Sequence, residues 1–569
     1  MTTPPQFTHE RVDDVPVLIH LMTEVLGFHT ALDQLWPRHG NWQGLSLGQV
    51  LVTWLAHILS ECTHTMSHVQ DWANRLPHTL GQLLGQDLRE TDLSDDRLSE
   101  VIRVLSLESV WHPLERTISQ DMVRVYRLPR QRVRLDSTTV SIHSGQALSV
   151  LFQRGHSKDH RPDLPQLKAM FAALDPLGAL VAVDVVPGNR ADDGLYVPLI
   201  ERLRTILQEV GLLYIGDSKM SALATRAYLH ATENDYLTPL ALVGSLPADF
   251  AAWVAAAVAG KVTLTPIRDT DGQTLLGHGY ELTRPQAAEG PTGPVRWSER
   301  VLVVHSEQFA AAARRSFQQR LNKAQAALAA LTPPCGRGRR QFTERASLQD
   351  AVQAVLMQFD VADFLTVQIK RETQRRTVRA YRGQPARVEE GTRYLVQVQP
   401  DPAAIAAHEQ TLGWRVYVTN APRRDLSLAQ AVQAYRDEWL IERTIARVKG
   451  RPLSLAPLWV TRDDHAIGLT RLLTLAARLL ALVEYEARRK LQEAQRMLVG
   501  LYPGQPARAT DQPTTERLLL TFKHITLTIV HTGKRVERFI TPLSDLQTDI
   551  LKLLRCPRTL YATLTAESG

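Results

Sequence analysis

The spacing of apolar and polar positions divides the chain into regions with different predicted secondary structure. Up to about residue 125, apolar positions recur at helical spacing. One helix is predicted after Ser46, a favourable N-cap, and another after Ser94, where acidic residues occupy the first turn. Residues 1–125 are therefore interpreted as a helical N-terminal domain.

The texture changes at Arg132, where short segments rich in β-branched residues begin. The segments VRLDSTTVSI, LKAMFAAL, ALVAVDVV and LLYIGD predict strands, and DDGLYVPLIERLRTILQEV predicts a helix before the last of them. The order strand, strand, strand, helix, strand predicts an α/β layer over residues 126–240.

Beyond about residue 240 the pattern loosens, and residues 241–412 are interpreted as a mixed insertion. The sequence PQAAEGPTGP predicts a loop, and an alanine-rich stretch from about Glu307 to Leu331 predicts a helix. A later run has a single acid, Glu372, among seven basic residues: Lys370, Arg371, Arg375, Arg376, Arg379, Arg382 and Arg387. This run indicates either contact with a phosphate backbone or an exposed charged hairpin.

Regular structure is predicted again over residues 413–495. WRVYVTNA predicts a strand, Ser427 and Gln430 match a capping box, and a long amphipathic helix is predicted from about Asp464 to Gln495. Residues 496–569 form a C-terminal region of no assigned role.

The segment AYRDEWLIERTIARVKG, residues 434–450, predicts one helix with a stripe of reactive side chains. At about 100° of rotation per residue, four side chains fall within about 60° of one another: Tyr435, Glu438, Glu442 and Lys449. Arginines that include Arg436 and Arg443 form a basic flank beside them. A carboxylate on this stripe could hold a metal while the lysine holds a phosphate. The alternative is a solvated helix face with salt bridges.

Composition limits the number of domains, the kind of partner and the cellular compartment that we expect. A chain of 569 residues exceeds the size of a single core, and its net charge of +7 suits a polyanionic partner without proving one. Three distant cysteines argue against a disulfide framework or a zinc ribbon. The N-terminus lacks a signal-peptide pattern, and Arg471 and Arg478 interrupt the most leucine-rich segment. These features predict a cytoplasmic protein.

Two further acids stand out by position, because Asp136 lies in an apolar strand and Asp217 ends another. A buried carboxylate is costly unless it is paired or metal-bound. Together with Glu442, these acids would make an oxygen-lined site of the kind that Mg²⁺ or Mn²⁺ prefers. Each acid alone has a simpler explanation, since Asp136 could cap a turn and Asp217 could cap a helix.

Taken together, the segments resemble bacterial insertion-sequence transposases of the DDE class, in the group that carries the signature Tyr-x2-Arg-x3-Glu-x6-Lys. Tyr435, Glu442 and Lys449 fall at the required spacings, and Glu438 occupies the arginine position. The segments LDSTTVSI, GHSKDHRPDLPQLK, VPGNRADD and YIGDSKMS also resemble that group. The likeness covers nearly the whole chain.

The resemblance implies an α/β, ribonuclease H-like catalytic core, interrupted by the insertion and preceded by the helical domain. It implies that Asp136, Asp217 and Glu442 bind two Mg²⁺ ions, which Mn²⁺ may replace, and that Tyr435 and Lys449 contact the DNA end. Such enzymes cut double-stranded DNA at the terminal inverted repeats of their element and join the ends to target DNA. A homodimer on DNA is expected, because two ends must be brought together. The rivals are a related nuclease that joins no strands and a catalytically silent DNA-binding protein.

Glu438 departs from the signature, because a carboxylate facing a phosphate is repelled by about 1 kcal/mol at about 4 Å even in water. Either Arg436 or Arg443 supplies the missing cation, or this branch does not use the position for DNA. The loop GHSKDHRPDLPQLK also leaves two roles open, namely DNA contact or support of the fold.

Overall fold

The computed structural model describes residues 5–143, 148–334, 341–379, 383 and 385–566. Two residues of interest from the sequence, Cys335 and Arg382, lie outside this described part. The strands are β1 (Gln6–Arg11), β2 (Arg132–Ser141), β3 (Gln166–Leu174), β4 (Ala179–Pro187), β5 (Leu213–Gly216), β6 (Asp235–Pro239), β7 (Thr265–Arg268), β8 (Leu275–Gly290), β9 (Gly293–His305), β10 (Leu365–Val378), β11 (Arg387–Pro400), β12 (Trp414–Thr419), β13 (Leu498–Val499), β14 (Ala509–Thr510), β15 (Thr526–Thr532) and β16 (Arg535–Ile540).

The helices alternate with these strands in the middle of the chain and dominate its first 126 residues. They are α1 (Val15–His20), α2 (Phe28–Leu35), α3 (Leu47–Glu61), α4 (Val69–Ala73), α5 (Pro77–Leu84), α6 (Asp95–Ser106), α7 (Glu108–Tyr126), α8 (Tyr196–Leu207), α9 (Leu223–Ala231), α10 (Leu246–Val258), α11 (Glu307–Leu331), α12 (Arg345–Phe359), α13 (Pro402–Thr411), α14 (Leu428–Arg436), α15 (Trp439–Lys449), α16 (Asp463–Glu493), α17 (Thr515–Leu520) and α18 (Asp545–Leu553).

A large mixed sheet organises the middle of the chain. Its strand order in the described residues is β4-β3-β2-β5-β6-β12-β9-β8-β7. Strand β2 runs parallel to β5 and β5 parallel to β6, whereas β3, β4 and β12 pair antiparallel with their neighbours. All nine positions of β3 are buried, as expected for a strand covered on both faces. The protein is therefore a mixed α/β structure.

Helix α16 packs against α6 and against β4, at one end of the strand order of this sheet. By length and composition it could cross a membrane, but 94% of its most apolar stretch is buried inside the protein. The bent pair Val15–Val25 and Phe28–Leu35 meets the same criterion only if it counts as one span. The sequence argument that two arginines rule out an apolar span is thus wrong. Arg471 and Arg478 are instead buried, where they pair with Glu108 and Glu115.

The first 126 residues are mostly helical, and helix α3 begins with the capping box formed by Ser46 and Gln49. They are not entirely helical, because β1 pairs with β15 in the three-stranded sheet β1-β15-β16. The Tyr561 hydroxyl also donates to the Asp13 carbonyl at 2.6 Å. The C-terminal region is therefore packed against the N-terminal helices.

The region beyond residue 240 contributes to two separate structures. Strands β7 to β9 extend the large sheet, and PQAAEGPTGP forms the paired ends of β8 and β9. The predicted loop is therefore wrong. The far end of β8 has a neighbour on only one side, since β7 pairs with just residues 275–279, and proline is tolerated on such an edge. Helices α11 and α12 and strands β10 and β11 share a second apolar core, which includes Phe317, Leu348 and Leu356.

Candidate active site

The strand register brings two of the predicted acids together. Strands β2 and β5 pair in parallel up to Leu135 and Gly216, and the next residues along each strand are Asp136 and Asp217. Asp136 and Asp217 therefore occupy neighbouring positions on adjacent strands. Their negative charges interact, since Asp217 contributes to raising the pKa of Asp136.

Asp136 is held by its own strand and by the loop after it. Its Oδ1 accepts a hydrogen bond from the Ser137 amide at 2.7 Å and lies 3.5 Å from Lys158 Nζ. Lys158 Nζ also donates to the carbonyl oxygen of Ser137 at 2.6 Å and to its Oγ at 2.9 Å. Burial raises the pKa of Asp136 to about 6, although Lys158 acts in the opposite direction. An ionised Asp136 therefore favours a nearby cation.

Asp217 is oriented by three neighbouring residues. Its Oδ1 accepts from the Tyr196 hydroxyl at 2.6 Å and from the Lys219 amide at 2.9 Å. Its carbonyl oxygen accepts from Thr238 Oγ1 at 2.6 Å. Burial and the charge of Asp217 raise the pKa of Tyr196 well above its usual range, so this phenol stays a hydrogen-bond donor.

The predicted helix over residues 434–450 is two helices. Helix α14 ends at Arg436 and α15 begins at Trp439, with a turn at Asp437 and Glu438. The capping box of Ser427 and Gln430 is present as predicted. The turn breaks the stripe that a straight helix would present, so the geometry of these side chains differs from the prediction.

Glu438 lies at this turn, beside the acidic site. It is half-buried and hydrogen-bonds the Tyr435 hydroxyl, and burial raises its pKa. The charges of Asp136, Glu442 and Asp217 raise the pKa of Glu438 further. Glu442 itself is exposed on α15. The residue at the signature arginine position therefore adds negative charge to the site.

Lys449 joins the end of α15 to strand β2. Its Nζ donates to Thr138 Oγ1 at 3.2 Å and to the Thr139 carbonyl at 2.8 Å, and it forms an ion pair with Asp159. Asp159 belongs to the same loop as Lys158. The loop between β2 and β3 therefore supplies polar partners to two predicted site residues.

The two arginines of the predicted basic flank have different surroundings. Arg443 forms an ion pair with the buried Glu484 of α16, which also pairs with Arg447 and Arg488. Arg436 is exposed at the end of α14. Arg443 thus holds α15 against α16, whereas Arg436 is accessible to a ligand.

The side chains around this site suit a hard divalent cation in their chemistry. Asp136, Asp217, Glu438 and Glu442 present carboxylate oxygens, the ligands that Mg²⁺ prefers. Within the described residues, no three His, Cys, Asp or Glu side chains stand close enough to hold one ion together. The donor type therefore fits Mg²⁺, and binding requires these side chains to move closer together.

The residues that contact these acids are difficult to identify from the sequence. Lys158 and Tyr196 lie 22 and 21 residues along the chain from the carboxylates they contact. The loop motif GHSKDHRPDLPQLK was the only signal for Lys158, and none pointed to Tyr196. Both contacts depend on how the sheet and α8 pack.

Comparison with known proteins identifies the class. Residues 127–477 match the family model described as the transposase DDE domain. This match covers more than half of the chain and includes both strand acids and α14 to α15. The chain belongs to the family of proteins with a transposase DDE domain.

A more distant likeness was found among solved structures. The chain is similar to piggyBac transposase in a synaptic complex with hairpin DNA, at 9% identity, with 51% of this chain and 62% of that chain covered. The TM-score of 0.24 is too low to support a structural argument. With 62% covered, the chain spans less than two thirds of the piggyBac transposase chain. A search of curated proteins found no match to this chain.

Proposed function

We propose that the protein cuts DNA at the ends of an insertion sequence and joins the freed 3′-hydroxyls to target DNA. The observation that carries this proposal is the placement of Asp136 and Asp217 at the ends of adjacent parallel strands, in a chain of the DDE family. The strand order β4-β3-β2-β5-β6 supports a ribonuclease H-like core, to which we assign residues 126–240 and 413–495. Residues 241–412 are its insertion, and residues 1–125 recognise the DNA ends.

In this proposal Asp136, Asp217 and Glu442 hold two Mg²⁺ ions, and Mn²⁺ can replace them. When bound, such ions activate the attacking oxygen of water or a 3′-hydroxyl and stabilise the leaving oxygen. Tyr196 orients the Asp217 carboxylate through its 2.6 Å hydrogen bond, and Lys158 balances the charge of Asp136. These two residues fix the carboxylates on which the reaction depends.

The signature helices supply the DNA contacts in the same proposal. Tyr435 and Lys449 contact the DNA end, with Arg436 exposed beside them. Lys449 pairs with Asp159 and Arg443 with Glu484, so each of these two cations must exchange its carboxylate partner for a phosphate when it contacts DNA. A homodimer assembles on double-stranded DNA, since two ends must meet, and the protein acts in the cytoplasm on the nucleoid.

A strand-transfer assay with Mg²⁺ tests this proposal. The substrate is a duplex carrying the inverted repeats that flank the reading frame, together with a target plasmid. We expect cleavage and joining by the unaltered protein, and loss of both with retained DNA binding in Asp136→Asn and Asp217→Asn. The matched control is Asp249→Asn, an exposed acid at the start of α10, which should remain active.

The outcomes separate the rival functions. Cleavage without joining would indicate a nuclease, and end binding without chemistry would indicate a silent DNA-binding protein. Cleavage that survives in Asp136→Asn would refute the assigned metal site.

A further inference from the structure

A long ribbon of two strands projects from the insertion. Strands β10 and β11 pair antiparallel over fourteen residue pairs, from Leu365 with Pro400 to Val378 with Arg387. In the described residues they form a sheet of their own, apart from the nine-stranded sheet. At about 3.4 Å per residue, the ribbon is about 45 Å long.

Among the described side chains of the ribbon, those that pack into an apolar core lie at its base. Leu365, Val367 and Ile369 alternate along β10 and pack into the core of α11 and α12, together with Val396 and Val398 of β11. Beyond Ile369 the same face of β10 continues with Arg371, Thr373 and Arg375. These three side chains are exposed. The outer part of the ribbon, about 30 Å long, is therefore polar on the face that is apolar at the base.

The outer ribbon carries most of the protein's excess positive charge. Residues 370–393 contain eight basic residues and three acidic ones, an excess of five, whereas the whole chain has a net charge of +7. Some of this charge is balanced internally, because Arg375 pairs with Glu390 and Arg393 pairs with Glu372. Lys370, Arg371 and Arg379 are exposed. The sequence left two roles open for this basic run, contact with a phosphate backbone and an exposed charged hairpin. An exposed charged hairpin can itself contact phosphates, so the two roles are compatible.

We propose that this ribbon is an arm that binds duplex DNA, with Lys370, Arg371 and Arg379 on the phosphate backbone. A two-stranded ribbon fits the B-DNA major groove, which is about 12 Å wide. The outer part is about as long as one turn of B-DNA, so its cations can contact phosphates on both sides of the groove. This inference rests on the proposed function and assigns a surface to its DNA partner.

Salt-dependent DNA binding by the full-length protein tests the arm. The ribbon variant combines Lys370→Gln, Arg371→Gln and Arg379→Gln. The matched control combines Arg314→Gln, Arg315→Gln and Lys323→Gln, which remove the same charge from exposed positions on α11 of the same subdomain. The probe is a 40-base-pair duplex that contains one element end. Each lost phosphate contact lowers the slope of log K against log salt by about 0.9.

We expect the ribbon variant to lower this slope by about 2 to 3 and the control to leave it unchanged. A second variant, in which Asn-Gly replaces residues 373–392 between the paired Glu372 and Arg393, removes Arg379 but keeps Lys370, Arg371 and the packed base, so it should lower the slope by about 1. An unchanged slope in both ribbon variants, or an equal loss in the control, would refute the proposal that the ribbon binds duplex DNA. If the unaltered protein binds no duplex at any salt concentration, the proposed function itself fails.

Discussion

Replacement of Asp136 by asparagine should stabilise the protein while it abolishes activity. Asp136 lies in a buried strand, beside Asp217, and its pKa is raised to about 6 mainly by burial. The folded protein therefore spends free energy to keep this carboxylate ionised at neutral pH. Asparagine has nearly the same shape and no charge, so it removes that cost and keeps the strand pairing.

The size of the effect follows from the pKa. A rise from 3.8 to about 6 corresponds to about 3 kcal/mol, at about 1.36 kcal/mol per pKa unit. Because the pKa is higher in the folded state, protonation favours folding, and the cost of ionisation grows as pH rises from about 4 to about 6. The stability gain of Asp136→Asn over the unaltered protein should thus increase from about 0.5 kcal/mol near pH 4 to about 3 kcal/mol near pH 7.

Urea denaturation in EDTA measures this difference, because the chelator removes divalent ions from both proteins. The free energy of unfolding is compared at pH 4.5, 6.0 and 7.5. The control Asp249→Asn removes an exposed acid and should change stability by less than about 0.5 kcal/mol at each pH. A gain of equal size at pH 4.5 and 7.5, or no gain at pH 7.5, would refute the electrostatic reasoning.

Four further substitutions test other parts of the structure. Glu115→Gln should cost about 3 to 5 kcal/mol in urea denaturation, because it leaves the fully buried Arg478 without its partner carboxylate at 2.6 Å. Gly178→Ala should reduce stability and strand transfer together, because Gly178 has φ +67° and a Cβ there would lie 2.4 Å from a main-chain oxygen of α15. Gly85→Ala has a similar φ of +71° in open space, so it should cost only about 1 to 2 kcal/mol and keep activity. Glu438→Gln should raise the urea midpoint in EDTA at neutral pH, because burial, and after it three neighbouring carboxylates, raise the pKa of Glu438. An unchanged midpoint would contradict that placement.

The sequence predicted the secondary structure of the central sheet well but not its lateral pairing. The segments after Arg132 were recognisable because β-branched residues are concentrated in short runs. The adjacency of Asp136 and Asp217 depends on the parallel pairing of β2 with β5, which are separated by two intervening strands in the chain. Such pairing is decided by tertiary packing, and here the family resemblance supplied the missing information.

Two local errors have clear physical causes. The break at Asp437 and Glu438 was missed because helical spacing continues on both sides and no proline or glycine marks it. The Tyr435 to Glu438 hydrogen bond and the burial of Glu438 accompany that turn, and both depend on the surrounding fold. The strand ends at PQAAEGPTGP were predicted as a loop because proline and glycine usually punctuate turns.

The pairing of β1 with β15 determines when the three-stranded sheet can form during synthesis. Residues 6–11 pair with residues 526–531, so more than 500 residues separate the two halves of this small sheet. At about 5 to 20 residues per second, β1 leaves the ribosome roughly half a minute to two minutes before its partner. The edge of β1 therefore stays unpaired until β15 has been synthesised. A chain that stops before β15 would lack this closure even though its predicted catalytic residues had all been made.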